Sequence, residues 1–129
     1  MKVIIVDDDR GNLNAYRTSL SRKGLQVEVC DRADAALDLI GELFQRGAPP
    51  DVVVTDQRMP VMTGADLISA LKGSWPDLPV VLMTAYGSKR LEAFARRMSV
   101  DYLEKPFPPE RLIEIIGNIH NTERRAGQC

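Results

Sequence analysis

Three short apolar runs, rich in valine and isoleucine, constrain the fold of this chain most strongly. They occupy residues 3–6, 52–54 and 80–83, and each run is continuous rather than alternating. Continuous β-branched runs are typical of central parallel strands that are covered on both faces. A mixed apolar run at 100–103 predicts a further strand. Residues 25–29 alternate apolar with polar side chains, which predicts a strand at a sheet edge.

Apolar residues at helical spacing follow each of the five predicted strands. These stripes lie at residues 13–20, 33–44, 64–71, 87–98 and 112–119, and glycine or proline stands near most of their ends. Five strands that alternate with five helices predict an α/β fold, because parallel strands are joined by right-handed helical crossovers. We expect a doubly wound (βα)5 protein with a five-stranded parallel sheet in the flavodoxin-like order 2-1-3-4-5.

Charge and composition narrow the classes of partner. Seventeen basic and eighteen acidic residues give the 129-residue chain a formal net charge of −1, so no overall field favours nucleic acid or an anionic membrane. No apolar run reaches membrane-spanning length, and Cys30 and Cys129 lack metal-ligand spacing. We expect one soluble cytoplasmic domain at residues 1–120, with no direct nucleic-acid or membrane partner. Residues 121–129 are expected to be a polar tail or the start of a linker.

Three consecutive aspartates follow the first predicted strand. Asp9 suits the N-cap of the next helix, whereas Asp7 and Asp8 lie where ligand sites form, beyond the carboxyl ends of parallel strands. Asp56 ends the third strand at the same edge. Like charges about 4 Å apart repel by about 4 kcal/mol at an effective dielectric near 20. We expect Mg²⁺, which prefers oxygen ligands, and Lys105 after the fifth strand to offset this repulsion.

Four motifs in this order resemble the receiver domain of two-component response regulators. They are the acidic pair at 7–8, D-x-R-M-P-x-M-x-G at 56–64, T-A at 84–85 and K-P-F at 105–107. Each motif alone is weak, but the four together on a (βα)5 pattern are specific. The resemblance extends through about residue 120.

The resemblance implies a phosphorylation site with a bound metal. Asp56 would accept a phosphoryl group from phosphohistidine of a sensor histidine kinase. Asp8 would bind Mg²⁺ directly and Asp7 through water, and the backbone carbonyl of Arg58 would be a further ligand. The protein would be a signalling phosphoacceptor rather than an enzyme, catalysing only its own phosphorylation and dephosphorylation.

The resemblance also implies a switch. Lys105 and the Thr84 hydroxyl would each bind a phosphoryl oxygen, and the ring of Tyr102 would turn inward as Thr84 moves. This would alter the face formed by the fourth helix, the fifth strand and the fifth helix, and so control an output domain or partner. A phosphotransfer protein could replace the kinase, and the family also allows dimerisation on phosphorylation. The Lys105–Pro106 peptide would be cis.

Two features modify this expectation. Arg58 and Tyr86 each lie two residues after a key residue, Asp56 or Thr84, so their side chains are predicted to flank the phosphoryl group and slow its hydrolysis. The segment from Thr84 to Lys105 is one residue shorter than is usual in the family, which predicts a shortened or shifted fourth helix or entry loop.

Two alternatives remain at this stage. The pattern D-x-D after a strand also occurs in haloacid dehalogenase-like phosphatases, but those need an acidic pair after the lysine, where this chain has Pro-Phe-Pro-Pro. A pseudo-receiver would be a binding module with the same fold but without phosphorylation. It should lack acidic or lysine residues of the site, and none is missing.

Overall fold

The computed structural model describes the backbone of residues 1–127 and the side chains of residues 1–121. Strands and helices alternate along the whole described chain. The strands are β1 (Lys2–Val6), β2 (Gln26–Cys30), β3 (Val52–Asp56), β4 (Val80–Thr84) and β5 (Asp101–Glu104). The helices are α1 (Arg10–Ser21), α2 (Ala33–Gln45), α3 (Gly64–Ser74), α4 (Lys89–Arg97) and α5 (Pro109–Gly127).

All five strands are parallel and lie in the order β2-β1-β3-β4-β5. The predicted doubly wound α/β fold and strand order are therefore confirmed. β2 is an edge strand in which Gln26 and Glu28 are exposed, as its alternating pattern predicts.

Helices cover both faces of the sheet, and this explains the continuous apolar runs. In β1, Ile4 and Val6 pack in the apolar cluster beneath α2 and α3, whereas Val3 and Ile5 pack in the cluster beneath α1 and α5. All four of these side chains are fully buried. Successive residues of a strand point to opposite faces, so only a strand buried on both sides needs an unbroken apolar run.

Side-chain caps fix where α1 and α4 begin. The Asp9 carboxylate accepts a hydrogen bond from the Asn12 N–H at 3.0 Å, so the predicted N-cap of α1 is confirmed. Ser88 caps α4 in the same way. Because Ser88 is the cap, α4 begins at Lys89, later than the predicted residue 87.

The turn after α4 uses a left-handed backbone conformation. Ser99 has a φ of 56°, in the region that favours glycine.

α5 continues to Gly127, beyond the predicted domain limit at residue 120. The assignment of residues 121–129 to a linker stays a prediction, and residues 128 and 129 lie outside the described chain. Among the described residues, no helix combines the length and apolarity that crossing a bilayer requires.

Candidate functional site

The carboxyl ends of four strands meet at one edge of the sheet and define the site. Asp7 follows β1, Asp56 and Thr84 end β3 and β4, and Lys105 follows β5. The register pairs Asp56 with Met83 and Thr84 with Glu104, so the strands end at nearly the same level. The parallel sheet thus brings residues that are far apart in sequence into one crevice.

Three carboxylates form a compact acidic cluster in this crevice. Asp7, Asp8 and Asp56 each offer an oxygen, and these oxygens lie within 4.8 Å of one another. Asp7 is fully buried and Asp56 is 8 % exposed, while Asp8 is exposed to solvent. Hard carboxylate oxygens at this separation, one of them open to water, suit a small divalent cation that keeps several waters.

Lys105 provides the positive charge that faces the cluster. Its Nζ lies 3.0 Å from Asp7 Oδ2 and 3.5 Å from Asp56 Oδ2. Asp7 also accepts hydrogen bonds from the Asp9 N–H at 3.0 Å and from Asn12 Nδ2 at 3.4 Å. Asp7 is therefore well compensated, whereas Asp56 shares a more distant ammonium group.

This imbalance is reflected in the pKa values. Burial raises the pKa of Asp56, the Lys105 ammonium opposes that rise, and the Asp7 charge adds to it. Burial alone would lower the pKa of Lys105, but its hydrogen bond to Asp7 and the charge of Asp56 raise it above its usual value. The raised pKa values of Asp56 and Lys105 are consistent with each other. Several carboxylates stabilise the single ammonium group, but one ammonium group does not offset the charge of all the carboxylates.

The loop after β3 holds Asp56 in place. Asp56 Oδ1 accepts a hydrogen bond from the Gln57 N–H at 2.9 Å, and Gln57 Oε1 accepts one from the Ala65 N–H at 2.8 Å. A Cβ at Gly64 would overlap the Asp56 carbonyl oxygen. Gly64 therefore lets the start of α3 pass directly against the end of β3, which explains the glycine that closes the motif at 56–64.

Thr84 is buried at the end of β4, with 1 % of its surface exposed. Its Oγ1 accepts a hydrogen bond from the Tyr86 N–H at 3.0 Å, and a hydroxyl that accepts can still donate. The Arg58 guanidinium carbon lies 4.1 Å from the centre of the Tyr86 ring. Arg58 and Tyr86 therefore make a cation–π contact between the β3–α3 and β4–α4 loops.

Tyr102 lies outside the acidic cluster, paired in register with Leu82 of β4. Its hydroxyl is buried, close to the Glu104 carboxylate and the Ser88 backbone. A Cβ at Gly87 would overlap this hydroxyl and would lie 2.7 Å from Glu104 Oε1. The ring therefore packs against the β4–α4 loop, in space that Gly87 leaves free.

Sequence reasoning missed several contributors to the site. Asn12 and Gln57 hydrogen-bond the predicted site or its supporting loop, and Gly87 gives Tyr102 its space. The available signal was their position, since each lies close to a strand-end motif. The Lys105–Pro106 peptide is cis, as predicted.

Residues 3–117 match the family described as the response regulator receiver domain. This match covers most of the chain, and it agrees with the crevice of strand-end aspartates and lysine. The chain belongs to this family. It is a receiver domain of two-component response regulators, and neither the phosphatase nor the pseudo-receiver alternative is favoured.

Curated relatives resemble the receiver domain over nearly its whole length. It is 36 % identical over 118 residues to the response regulator protein FleR of Pseudomonas aeruginosa, covering 89 % of this chain and 24 % of FleR. It is 36 % identical over 114 residues to the response regulator MprA of Mycolicibacterium vanbaalenii, covering 88 % of this chain and 47 % of MprA. The chain therefore spans between a quarter and half of these relatives.

A solved structure shares the architecture. A response regulator receiver domain protein from Clostridium thermocellum superposes with a TM-score of 0.87 at 25 % identity, with coverage of 97 % of this chain and 98 % of that one. The receiver fold is thus common to both chains over nearly their whole length.

Proposed function

We propose that Asp56 accepts the phosphoryl group in this receiver domain. The observation that carries the proposal is the position of its carboxylate at the end of β3, held by the Gln57 N–H and 3.5 Å from the Lys105 ammonium. Asp7 is hydrogen-bonded on both oxygens and fully buried. Asp56 therefore has the more available carboxylate of the two buried acids.

The transfer would proceed by direct attack. A carboxylate oxygen of Asp56 forms a bond to phosphorus as the bond from phosphorus to the phosphohistidine nitrogen breaks. The imidazole keeps the electron pair of that bond and takes up a proton, and Asp56 becomes an acyl phosphate. Phosphoryl transfer requires mainly alignment and positive charge on the phosphoryl oxygens, and Lys105 supplies one such charge.

The residues of the acidic cluster fit Mg²⁺. Asp7, Asp8 and Asp56 would hold it, with the backbone carbonyl of Arg58 as a further ligand, Asp8 binding directly and Asp7 through water. When bound, the ion supplies positive charge to the phosphoryl oxygens. Asp8 is the exposed member of the cluster, so it leaves a side of the site open to water and to the phosphodonor.

The switch would connect the site to the face formed by α4, β5 and α5. Thr84 would donate its hydroxyl to a phosphoryl oxygen, and Tyr102 would respond through the β4–α4 loop that it contacts. Since the chain spans 24 % of FleR and 47 % of MprA, the response would act on an output domain or a partner protein. The phosphodonor would be a sensor histidine kinase or a phosphotransfer protein.

Acetyl phosphate with Mg²⁺ tests the assignment of Asp56. We expect intact-mass spectrometry to show one added phosphoryl group, which hydroxylamine removes because it is an acyl phosphate. Asp56→Asn should abolish labelling. Asp9→Asn is the matched control and should be labelled normally, because asparagine is as good an N-cap as aspartate.

Two results would count against the proposal. Equal labelling of Asp56→Asn would place the phosphoryl group elsewhere. Continuous release of phosphate from an ester substrate would indicate a phosphatase rather than a phosphoacceptor.

A further inference from the structure

Tyr16 lies on the inward face of α1, next to the site but outside every motif that defines it. Leu13, Tyr16 and Leu20 are the buried residues of this helix, and Tyr16 is 8 % exposed. It packs in the apolar cluster between α1, α5 and the sheet. A tyrosine here brings a polar hydroxyl to a face that otherwise needs only apolar side chains.

The ring of Tyr16 stacks on the ring of Phe107. Their centroids lie 5.9 Å apart and their planes differ by 14°. Phe107 is two residues after Lys105, in the segment that joins β5 to α5. Tyr16 therefore connects α1 to the segment that carries the site lysine.

This segment has few other anchors. Residues 106, 108 and 109 are prolines and have no backbone N–H to donate. The Lys105 N–H donates to the Thr84 carbonyl at 2.8 Å, which fixes the segment where it leaves the sheet. Beyond that point, Phe107 stacks on Tyr16 and packs against the same apolar cluster, and the Pro108 carbonyl accepts a hydrogen bond from the Arg111 N–H at 2.9 Å.

The phenol of Tyr16 is coupled electrostatically to the charged groups of the site. Burial raises the pKa of the Tyr16 phenol, the Lys105 ammonium opposes the rise, and the charges of Asp7 and Asp56 add to it. The Tyr16 phenol in turn affects the pKa of Lys105. These mutual effects place the phenol within electrostatic range of the lysine and the acidic cluster.

We propose that Tyr16 is a positioning residue for Lys105, acting through its stack on Phe107. The Tyr16 ring holds Phe107 and, with it, the backbone at Lys105. The long and flexible lysine side chain then keeps its ammonium group near Asp7 and Asp56 and near an arriving phosphoryl oxygen. The proposal rests on the phosphoacceptor role of Asp56. It assigns the effect to the aromatic ring and none to the hydroxyl.

A double-mutant cycle on the rate of labelling by acetyl phosphate at saturating Mg²⁺ tests this. Tyr16→Leu keeps an apolar side chain but loses the stack, and should slow labelling about five- to tenfold, though no further than Lys105→Met does. Tyr16→Phe keeps the ring and should stay within about twofold of the unmodified protein. In the Lys105→Met background, Tyr16→Leu should have almost no further effect, since residues that act through one another are not additive.

Two further variants separate positioning from simple stability. Leu20→Ala removes a fully buried side chain from the same face of α1, and should lower the melting temperature without slowing labelling of the folded protein. Phe107→Leu removes the stack from the other side and should reproduce the effect of Tyr16→Leu, which keeps the test available if Tyr16→Leu fails to fold.

An equal slowing by Tyr16→Leu with and without Lys105 would overturn the proposal, as would a loss in Tyr16→Phe as large as that in Tyr16→Leu. No slowing in either Tyr16→Leu or Phe107→Leu would also overturn it. Failure of the Asp56 assignment is distinguishable, because it is measured by labelling of Asp56→Asn and not by the cycle.

Discussion

One ammonium group faces three carboxylates at the centre of the receiver site, and this ratio governs how single residues behave. Because the folded pKa of Asp56 is raised, its ionisation destabilises the metal-free protein as the pH rises through that folded pKa. Lys105 has a raised folded pKa, so its contribution to stability is present at neutral pH and is lost as the pH rises through that value. Neutral pH therefore leaves a site with excess negative charge that a cation relieves.

At the same scale, Arg58 and Tyr86 should lengthen the life of the acyl phosphate. Their side chains are 4.1 Å apart, measured from guanidinium carbon to ring centre, and they bridge the loops that follow Asp56 and Thr84. We expect these two side chains to flank the phosphoryl group and to obstruct an in-line water. The Arg58→Ala, Tyr86→Ala double variant should lose its phosphoryl group about threefold faster or more, because water exclusion protects reactive intermediates.

Decay of the phosphorylated protein, followed by intact mass after removal of acetyl phosphate, measures this. Arg96→Ala is a matched control, because it removes an exposed arginine from the neighbouring helix α4 that does not line the cavity beside Arg58 and Tyr86. If the double variant and the control both decay at the original rate, the cation–π pair does not shield the phosphoryl group.

At the scale of elements, the β4–α4 loop and β5 are coupled by one close contact. The loop runs from Thr84 to the cap residue Ser88, and Gly87 within it leaves the space that the Tyr102 hydroxyl fills. Burial raises the pKa of Tyr102, and the nearby charge of Glu104 raises it further. The loop that follows Thr84 therefore also contributes to the burial of Tyr102.

Gly87→Ala should expel the Tyr102 hydroxyl from this contact. Exposure removes the main cause of the raised pKa, so the pKa of Tyr102 should fall toward the ordinary value of 10.0. NMR of protein with ¹³C-labelled tyrosine rings, titrated with base, follows each tyrosine separately. Gly73→Ala makes the same change on α3, where nothing lies within 4 Å of the added carbon, and should leave Tyr102 unchanged.

An unchanged Tyr102 titration in a folded Gly87→Ala protein would mean that the loop gives way instead of the ring. Burial of the Tyr102 hydroxyl would then not depend on the space at Gly87. The coupling of the β4–α4 loop to β5 would need another contact.

At the scale of the whole molecule, the sequence was sufficient to predict the fold and the acidic cluster. Continuous apolar runs such as 52–54 reveal strands buried on both faces, and in a parallel sheet their ends must lie at one edge, which brings Asp7 near Asp56. Contacts that single side chains of helices and strands make with the loops were not predictable in the same way. The stacking of Tyr16 on Phe107 and the packing of Tyr102 at Gly87 depend on side-chain directions, which periodicity does not specify.

Stability of the whole molecule should depend on Mg²⁺ through the acidic cluster of Asp7, Asp8 and Asp56. The unfolded chain has no assembled site, so a ligand at one hundred times its Kd stabilises the folded state by about 2.7 kcal/mol. Asp8 is exposed and belongs to the acidic cluster, so Asp8→Asn relieves repulsion while removing a ligand. The metal-free Asp8→Asn protein should melt higher than the unmodified protein, and its gain with Mg²⁺ should shrink sharply.

Asp9 provides the internal comparison for this prediction, because its carboxylate caps α1 by accepting the Asn12 N–H and has no assigned metal role. Asp9→Asn keeps a good cap and should retain the full Mg²⁺ response. Thermal melts of the three proteins with and without excess Mg²⁺ give the answer. If Asp8→Asn keeps the whole gain, or Asp9→Asn loses it, the ligands are assigned wrongly. The crowding of three negative charges after β1 would then require a cause other than metal binding.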